Sequence, residues 1–126
     1  MRLLLDTHAV LGAVARVDEL PTRVRALLED GAHDVYVSAA TTWELALETR
    51  VGNVELELDE LVSELRALGF HELRVSFEHT RRAGSLPPEH HDPFARLLVA
   101  QALEEGLTLV TADATLSAYA VPIFWE

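Results

Sequence analysis

Short apolar runs alternate with longer segments of helical character along the whole chain, and this alternation restricts the possible folds more than any other feature. Strands that alternate with helices predict a parallel sheet, because each connection must cross back over the sheet before the next strand begins. We therefore expect an α/β fold in which helices flank a central parallel sheet. The predicted strands are 2–5, 35–38, 72–75, 107–111 and 122–125.

The segments between these runs carry helix signals. Pro93 suits a first helical position, and Gly106 is a typical stop signal after the last helical residue. A single domain, 1–126, fits the length, because domains commonly hold about 100–150 residues. The predicted helices are 7–16, 21–30, 39–51, 59–68, 78–83, 93–105 and 114–119, and the clearest loop is 84–91.

The composition narrows the possible function classes. The formal net charge of −11 argues against loose binding of nucleic acid through a general basic surface. All ten basic residues are arginine, so no lysine is available for a Walker-type phosphate loop or a Schiff base. The absence of cysteine excludes disulfides and thiolate metal sites. No apolar run reaches the roughly 18 to 20 residues of a membrane span and no signal peptide is visible, so we expect a cytoplasmic protein.

Acidic residues follow apolar runs or begin helices at four places, namely Asp6, Glu44, Asp92 and Asp113. The carboxyl ends of parallel strands lie along one rim of a sheet, where ligands bind. Carboxylates brought to that rim from separate elements repel one another unless a cation lies between them, and hard divalent cations prefer oxygen ligands. The sequence therefore favours a metal-dependent nuclease.

Each of these acids also has a purely structural interpretation. The three aspartates precede predicted helices, and aspartate is a preferred N-cap. Glu44 follows Thr41 by three residues and so matches a capping box, unless the helix already begins after Ser38. The capping and metal-binding roles are compatible, because a carboxylate has several lone pairs.

Histidines and aromatic residues have less specific interpretations. His90 and His91 precede Asp92, and His8 follows Asp6 by two residues, but no HExxH pattern exists. We therefore expect solvated loop histidines rather than metal ligands. The aromatic residues that fall within apolar patterns are expected to pack in the core, and they are Trp43, Phe94 and Trp125.

Several strings together resemble a PIN-domain ribonuclease of the VapC toxin type, from a type II VapBC toxin–antitoxin system. They are LLLDTH, SAATTWELALE, HHDPFARLLVAQA, LTLVTAD and VPIFW, and they span essentially the whole chain in the expected order. By this resemblance, the four acids form the catalytic, metal-binding quartet of an endoribonuclease that uses Mg²⁺, with Mn²⁺ as a substitute. Polar neighbours that orient water or metal ligands are implied at Thr7 and Thr111. The resemblance also implies an RNA substrate, a VapB-like antitoxin as partner and a toxin homodimer.

One position departs from the family pattern. Related sequences often read D-P-F-D-R, whereas this chain has Ala95 in place of the second aspartate. The substitution removes an auxiliary acid, and Asp92 keeps the principal role. Two roles stay open for Arg96. Its side chain could bind phosphate or Asp92, or it could support the helix surface.

Two other function classes stay open. A catalytically weak acidic module that binds a basic partner segment is slightly favoured by Ala95, and metal-dependent cleavage of single-stranded RNA would discriminate against it. A receiver-type or phosphoryl-transfer domain also places aspartates at strand ends. The lack of lysine, and the presence of His8 where an acid would follow Asp6 by two residues, count against that class.

Overall fold

The apolar run that follows Met1 forms the central strand of a five-stranded sheet in a computed structural model, which describes residues 1–88 and 90–126. The strands are β1 (Arg2–Leu5), β2 (Asp34–Ser38), β3 (His71–Leu73), β4 (Thr108–Val110) and β5 (Ile123–Phe124). They lie in the order β3–β2–β1–β4–β5, and each neighbouring pair is parallel. The predicted parallel α/β sheet is therefore confirmed.

Helices cover both faces of this sheet. Side chains alternate between the two faces of a strand, so Leu3 and Leu5 pack into one apolar cluster and Leu4 into another. All three leucines are fully buried, as expected for a central strand of a sheet covered on both sides. The helices are α1 (Thr7–Ala15), α2 (Thr22–Glu29), α3 (Ala39–Arg50), α4 (Leu58–Ala67), α5 (Phe77–Ser85) and α6 (Pro93–Glu105), with 3₁₀ turns at Val17–Glu19 and Ala114–Tyr119.

Several element ends differ from the predicted ones. β3 begins at His71, because its short edge pairing with β2 sets His71 opposite Tyr36. α5 continues through Gly84 to Ser85, so the predicted loop 84–91 begins later, and Glu89 within it lies outside the described residues. Pro21 is the N-cap of α2 rather than its first helical residue. None of the helices in the described part of the chain combines the length and apolarity that crossing a bilayer requires.

The strand order places a change of direction beside β1. The chain proceeds from β1 outward to β2 and β3, and it then returns to the opposite side of β1 with β4. In open α/β sheets, ligands bind in the crevice outside the carboxyl ends of the strands at such a switch point. The Asp6 N–H donates a hydrogen bond to the Val110 carbonyl at 3.0 Å, which fixes the ends of β1 and β4 side by side.

Candidate active site

An open cleft of about 470 Å³ lies at the carboxyl ends of β1 and β4. All four acids predicted from the sequence line it, although they come from the end of β1, from α3, from the start of α6 and from the segment after β4. Three further charged or titratable side chains also line it, namely His8 from α1, Glu48 from α3 and His90 from the loop before α6. The cleft wall comprises Asp6, Thr7, His8, Leu11, Glu44, Leu45, Glu48, Val54, His90, Asp92, Ala95, Thr111, Ala112, Asp113 and Leu116.

Asp6 is the N-cap of α1 and a cleft residue at once. Its Oδ1 accepts a hydrogen bond from the Ala9 N–H at 2.8 Å. Burial raises the pKa of the Asp6 carboxyl, and the nearby negative charge of Asp113 acts in the same direction. Hydrogen bonds from the Thr111 hydroxyl and the Ala9 N–H partly offset this increase in pKa. The site therefore holds a carboxylate that is costly to keep charged without a cation nearby.

Glu44 projects into the cleft from the second turn of α3. The helix begins after Ser38, whose hydroxyl accepts the Ala40 N–H at 3.0 Å, so Glu44 lies too deep in the helix for the capping box with Thr41. Instead, the Thr7 hydroxyl donates a hydrogen bond to Glu44 Oε1. Burial is the main cause that raises the pKa of Glu44, and the charges of Asp92 and Glu48 raise it further.

Asp92 and Asp113 occupy the other side of the cleft. Asp92 caps α6 by accepting the Phe94 N–H at 3.0 Å, with Pro93 at the first helical position as predicted. Asp113 accepts the N–H of Thr115 at 3.1 Å and its hydroxyl at 2.5 Å through Oδ1. The Thr115 hydroxyl is the main cause that holds the pKa of Asp113 below its ordinary value, and a hydrogen bond from His90 acts in the same direction.

Thr111 connects the two strand ends. It is 1% exposed, and its hydroxyl accepts the Asp113 N–H at 3.1 Å while it is hydrogen-bonded to the Asp6 carboxylate. Thr7 plays the corresponding part for Glu44. Both threonines are therefore hydrogen-bonded to carboxylates of the cleft, and the supporting role predicted for them stays a prediction.

The carboxylate and hydroxyl oxygens that line the cleft suit a hard divalent cation, and the chain has no cysteine that could supply a softer thiolate ligand. The pKa shifts of Asp6 and Glu44 include repulsion from Asp113 and Asp92, so charges from opposite sides of the cleft act on each other. Within residues 1–88 and 90–126, however, no group of three His, Asp or Glu side chains is already arranged to hold an ion. The chemistry of the cleft fits such a cation, while its side chains are held individually by caps and threonine hydroxyls.

Arg96 does not point its guanidinium at Asp92. It donates hydrogen bonds to the carbonyls of Ala83 at 2.9 Å, Leu86 at 2.8 Å and Pro87 at 2.8 Å. Of the two roles left open by the sequence, these contacts favour support of the structure over binding of phosphate. Ala95 lies on the cleft wall, so a longer acidic side chain at this position would have extended toward the cleft.

Two expectations for residues near the cleft were wrong. Trp43 is 62% exposed and packs edge-to-face on Phe94, with 5.2 Å between ring centroids, so it is not a core residue. His90 is hydrogen-bonded to Asp113 instead of being merely solvated. Sequence analysis also omitted Glu48 from the site, although its spacing of four residues from Glu44 places both on one helix face. Trp125 packs against the core as expected.

A second cavity of about 230 Å³ lies between α3, α4 and the edge strand β3. Its charged side chains, Arg66 and Glu72, are paired with each other at 3.4 Å. The remainder of its wall is largely apolar, with Val37, Val62 and Leu65 among its residues. Of these two cavities, the larger cleft brings together like-charged groups from separate elements of the fold, and it is therefore the candidate for chemistry.

The fold and the cleft define a class, a parallel α/β domain with an acidic pocket at the strand ends, and comparisons with known proteins identify the family. A family model described as the PIN domain matches residues 3–122, so the chain belongs to the PIN-domain family. No curated protein sequence matches the chain.

Solved structures with the same fold include chains from toxin–antitoxin complexes. VapBC2 from Rickettsia felis, bound to a DNA fragment from their promoter, gives a TM-score of 0.75 at 19% identity, with 100% of both chains covered. FitAcB from Neisseria gonorrhoeae gives a TM-score of 0.68 at 23% identity, with 97% of this chain and 96% of that chain covered. A toxin–antitoxin complex from Klebsiella pneumoniae gives a TM-score of 0.66 at 17% identity, with 97% of this chain and 95% of that chain covered. At these identities the similarity shows the fold.

Proposed function

We propose that this PIN-domain protein is a metal-dependent endoribonuclease and the toxin of a type II toxin–antitoxin system. The observation that carries the proposal is the convergence of Asp6, Glu44, Asp92 and Asp113 on one cleft at the switch point of the sheet. The quartet would hold Mg²⁺, or Mn²⁺ in its place, through carboxylate oxygens. Such a cation supplies an activated water and stabilisation of the leaving oxygen.

Electrostatics supports the need for a cation. An RNA phosphate that enters the cleft meets the quartet together with Glu48, in a chain with a formal net charge of −11. Like charges at this range repel, and a bound divalent cation reverses the sign of the local field. Thr7 and Thr111 are hydrogen-bonded to Glu44 and the strand-end aspartates, so these hydroxyls would help to orient the carboxylates toward a cation.

The test is cleavage of a defined panel of single-stranded RNAs with Mg²⁺, with Mn²⁺ or with EDTA, followed by mapping of the new ends. We expect cleavage with either metal and none with EDTA. A deoxyribonucleotide version of each substrate is the control for RNA specificity. Cleavage that persists in EDTA would contradict the metal requirement, and an inert protein across the panel would contradict the nuclease assignment.

A protein partner is supported by an exposed apolar surface on α3. The α3 stripe, defined as Trp43, Leu47 and Val51, follows the spacing of one helix face, and its members are 62%, 41% and 69% exposed. Glu44 and Glu48 border this stripe on the cleft side. Its chemistry suits an amphipathic segment with basic side chains, and we propose a VapB-like antitoxin as the occupant. The homodimer stays a proposal that light scattering of the purified protein would test.

A second candidate function is an acidic interaction module with weak catalysis. Ala95 favours it, because the cleft wall lacks an acid that related sequences often carry at this position. Both candidates predict binding of a basic partner segment. They differ in turnover, since only the nuclease cleaves more than one equivalent of RNA per protein.

A further inference from the structure

His90 occupies the space between two acids of the cleft. Its Nδ1 lies 3.2 Å from the main-chain nitrogen of Asp92, and its Nε2 lies 2.9 Å from Oδ2 of Asp113. The side chain of His90 is 22% exposed, so the ring is largely enclosed. The imidazole therefore bridges the start of α6 and the segment after β4.

The hydrogen bonds assign the ring's tautomer. A main-chain N–H can only donate, so the Asp92 N–H donates and Nδ1 of His90 accepts. The hydrogen of the neutral ring is then on Nε2, which donates to Asp113 Oδ2. Asp113 Oδ1 is already engaged by Thr115, so His90 fixes the remaining oxygen of this carboxylate.

The main chain of His90 is anchored independently of its ring. Its N–H donates to the hydroxyl oxygen of Tyr119 at 2.8 Å, and Tyr119 is 6% exposed. Arg96 donates to the same hydroxyl oxygen at 3.4 Å while it holds three carbonyls of the preceding segment. A substitution of the His90 side chain therefore leaves these main-chain contacts available.

We propose that His90 is a positioning residue, which sets the orientation of Asp113 relative to Asp92 through an Nε2–H donor. The rigid ring contacts the Asp113 carboxylate on one side and the Asp92 main chain on the other, so it sets where the Asp113 carboxylate lies relative to the start of α6. The effect on metal binding and cleavage rests on the proposed function, whereas the tautomer of His90 does not. Histidine suits this role because it carries an acceptor and a donor on opposite sides of one rigid ring.

A pair of substitutions separates the two sides of the ring. In His90→Gln the amide nitrogen reaches the place of Nε2, which preserves the donor to Asp113. In His90→Asn the amide oxygen reaches only the place of Nδ1, which preserves the acceptor for the Asp92 N–H and loses that donor. His91→Asn is the matched control, because His91 is the exposed neighbour of His90. Thermal unfolding curves recorded in EDTA show whether all three variants remain folded.

The measurements are Mn²⁺ affinity by calorimetry and cleavage under single-turnover conditions. We expect His90→Asn to lower both by about 10- to 100-fold, and His90→Gln and His91→Asn to stay within about threefold of the parent. Equal effects in His90→Asn and His90→Gln, or none in His90→Asn, would overturn the proposal.

A parent protein that neither binds Mn²⁺ nor cleaves RNA would refute the proposed function alone. The metal-free imidazole ¹⁵N shifts then decide the positioning role by themselves. The proposal is supported if His90 carries its hydrogen on Nε2 and if the Nε2–H shift changes in Asp113→Ala, in which this hydrogen has lost its acceptor. A hydrogen on Nδ1 overturns it.

Discussion

At the scale of single residues, each aspartate of the cleft combines two roles. Asp6, Asp92 and Asp113 accept main-chain N–H groups at the starts of α1, α6 and the 3₁₀ turn 114–119, and all three also line the cleft. A carboxylate has enough lone pairs for both roles. The caps made these residues predictable, because a cap marks a helix start, and Asp6 and Asp113 also follow closely on the ends of β1 and β4.

The residues that sequence analysis placed wrongly depend on tertiary contacts. His90 meets Asp113, which is 23 residues away in sequence, and no local pattern indicates that contact. Trp43 was predicted to lie in the core because it is part of an apolar stretch. In the described part of the chain, however, no element packs closely enough over this face of α3 to bury Trp43. Burial of one residue in a helix depends on which face the fold covers.

Asp6→Asn should separate activity from stability. The amide keeps a side-chain oxygen that can cap α1, and it removes a charge whose burial raises the pKa of Asp6. We expect RNA cleavage with Mn²⁺ to fall by more than about 100-fold, since Asp6 is a proposed metal ligand and loss of a ligand should weaken metal binding at least as much as loss of a residue that supports one. The free energy of unfolding, measured by urea titration in EDTA, should be unchanged or higher.

Asp6→Ala is the matched control for the capping role. It removes the same charge together with the cap, which costs about 1 kcal/mol of stability relative to Asp6→Asn. An Asp6→Asn protein that cleaves at the parent rate would contradict the site assignment. An unfolded Asp6→Asn protein would mean that the charge itself holds α1 in place.

The raised pKa of Asp6 predicts a pH dependence of stability in the metal-free protein. Because the folded pKa exceeds the unfolded value, the native state binds more protons, and its stability falls as pH rises through the folded pKa. Compared with Asp6→Asn, the parent should therefore gain stability as pH decreases toward the ordinary aspartate value of about 3.9. Urea titrations of both proteins in EDTA at several pH values measure this difference. A constant difference would show that burial of Asp6 carries no such cost.

At the scale of elements, the sequence predicted those whose ends carry their own chemical signals. α6 begins at Pro93 after the Asp92 cap and ends before Gly106, whose φ of 68° suits glycine, and both ends match the prediction. β3 and α5 were less predictable. An edge strand of three residues is defined by its pairing with β2, and α5 is fixed by the Ser76–His79 capping box and its packing against α6.

A pair of helical glycines tests the packing of α1 against the Val17–Glu19 turn. A Cβ at Gly12 would lie 2.4 Å from Leu20 Cδ2 and 2.7 Å from Cγ, and Leu20 is buried. Crowding of this kind costs about 1–3 kcal/mol, which exceeds the helix-propensity gain of about 1 kcal/mol. We therefore expect Gly12→Ala to lower the free energy of unfolding in urea titrations.

Gly84→Ala is the control, because Gly84 is also helical and a Cβ there meets nothing within 4 Å. Its free energy of unfolding should rise by about 0.5–1 kcal/mol. Stabilisation by both substitutions would show that Leu20 moves aside without cost.

The two tryptophans test whether the α3 face that carries Trp43 is exposed, with Trp125, which follows β5, as the packed reference. Trp43→Ala should cost at most about 1 kcal/mol, because it loses mainly the edge-to-face contact with Phe94. Trp125→Ala should cost about 2–4 kcal/mol, because Trp125 packs against the buried cluster. Urea unfolding followed by circular dichroism measures both. A larger loss for Trp43 than for Trp125 would contradict the exposed position of the α3 stripe.

At the scale of the whole molecule, the sheet order brings the site together. The order β3–β2–β1–β4–β5 makes β1 and β4 neighbours, although about one hundred residues separate them in sequence. Alternation of strands and helices predicts a parallel sheet but does not define this order. The rule that the carboxyl ends of parallel strands share one rim already predicted that the acids would lie close together, and the resemblance to the PIN-domain family added their role as a metal-binding quartet.

Charge at this scale predicts how a partner would associate with the protein. The net charge is −11, and the cleft concentrates Glu48 and the quartet beside the α3 stripe. A basic antitoxin segment should therefore associate at a rate that falls as salt rises. Glu48→Gln should reduce the association rate and its salt dependence, whereas Trp43→Ala should mainly increase the dissociation rate. Stopped-flow measurements with a fluorescently labelled partner at several salt concentrations distinguish the two effects.

Inhibition by that partner follows from the same cleft. An arginine of the proposed antitoxin would enter among the carboxylates in place of a cation, since a guanidinium binds carboxylates through two parallel hydrogen bonds. The purified complex should then lack nuclease activity, and co-expression with the neighbouring gene should rescue growth. Replacing the inserted arginine by alanine should restore metal-dependent cleavage, while replacing an arginine outside the cleft should not. A complex that keeps full activity, with Asp6, Glu44, Asp92 and Asp113 open to solvent, would refute this mechanism.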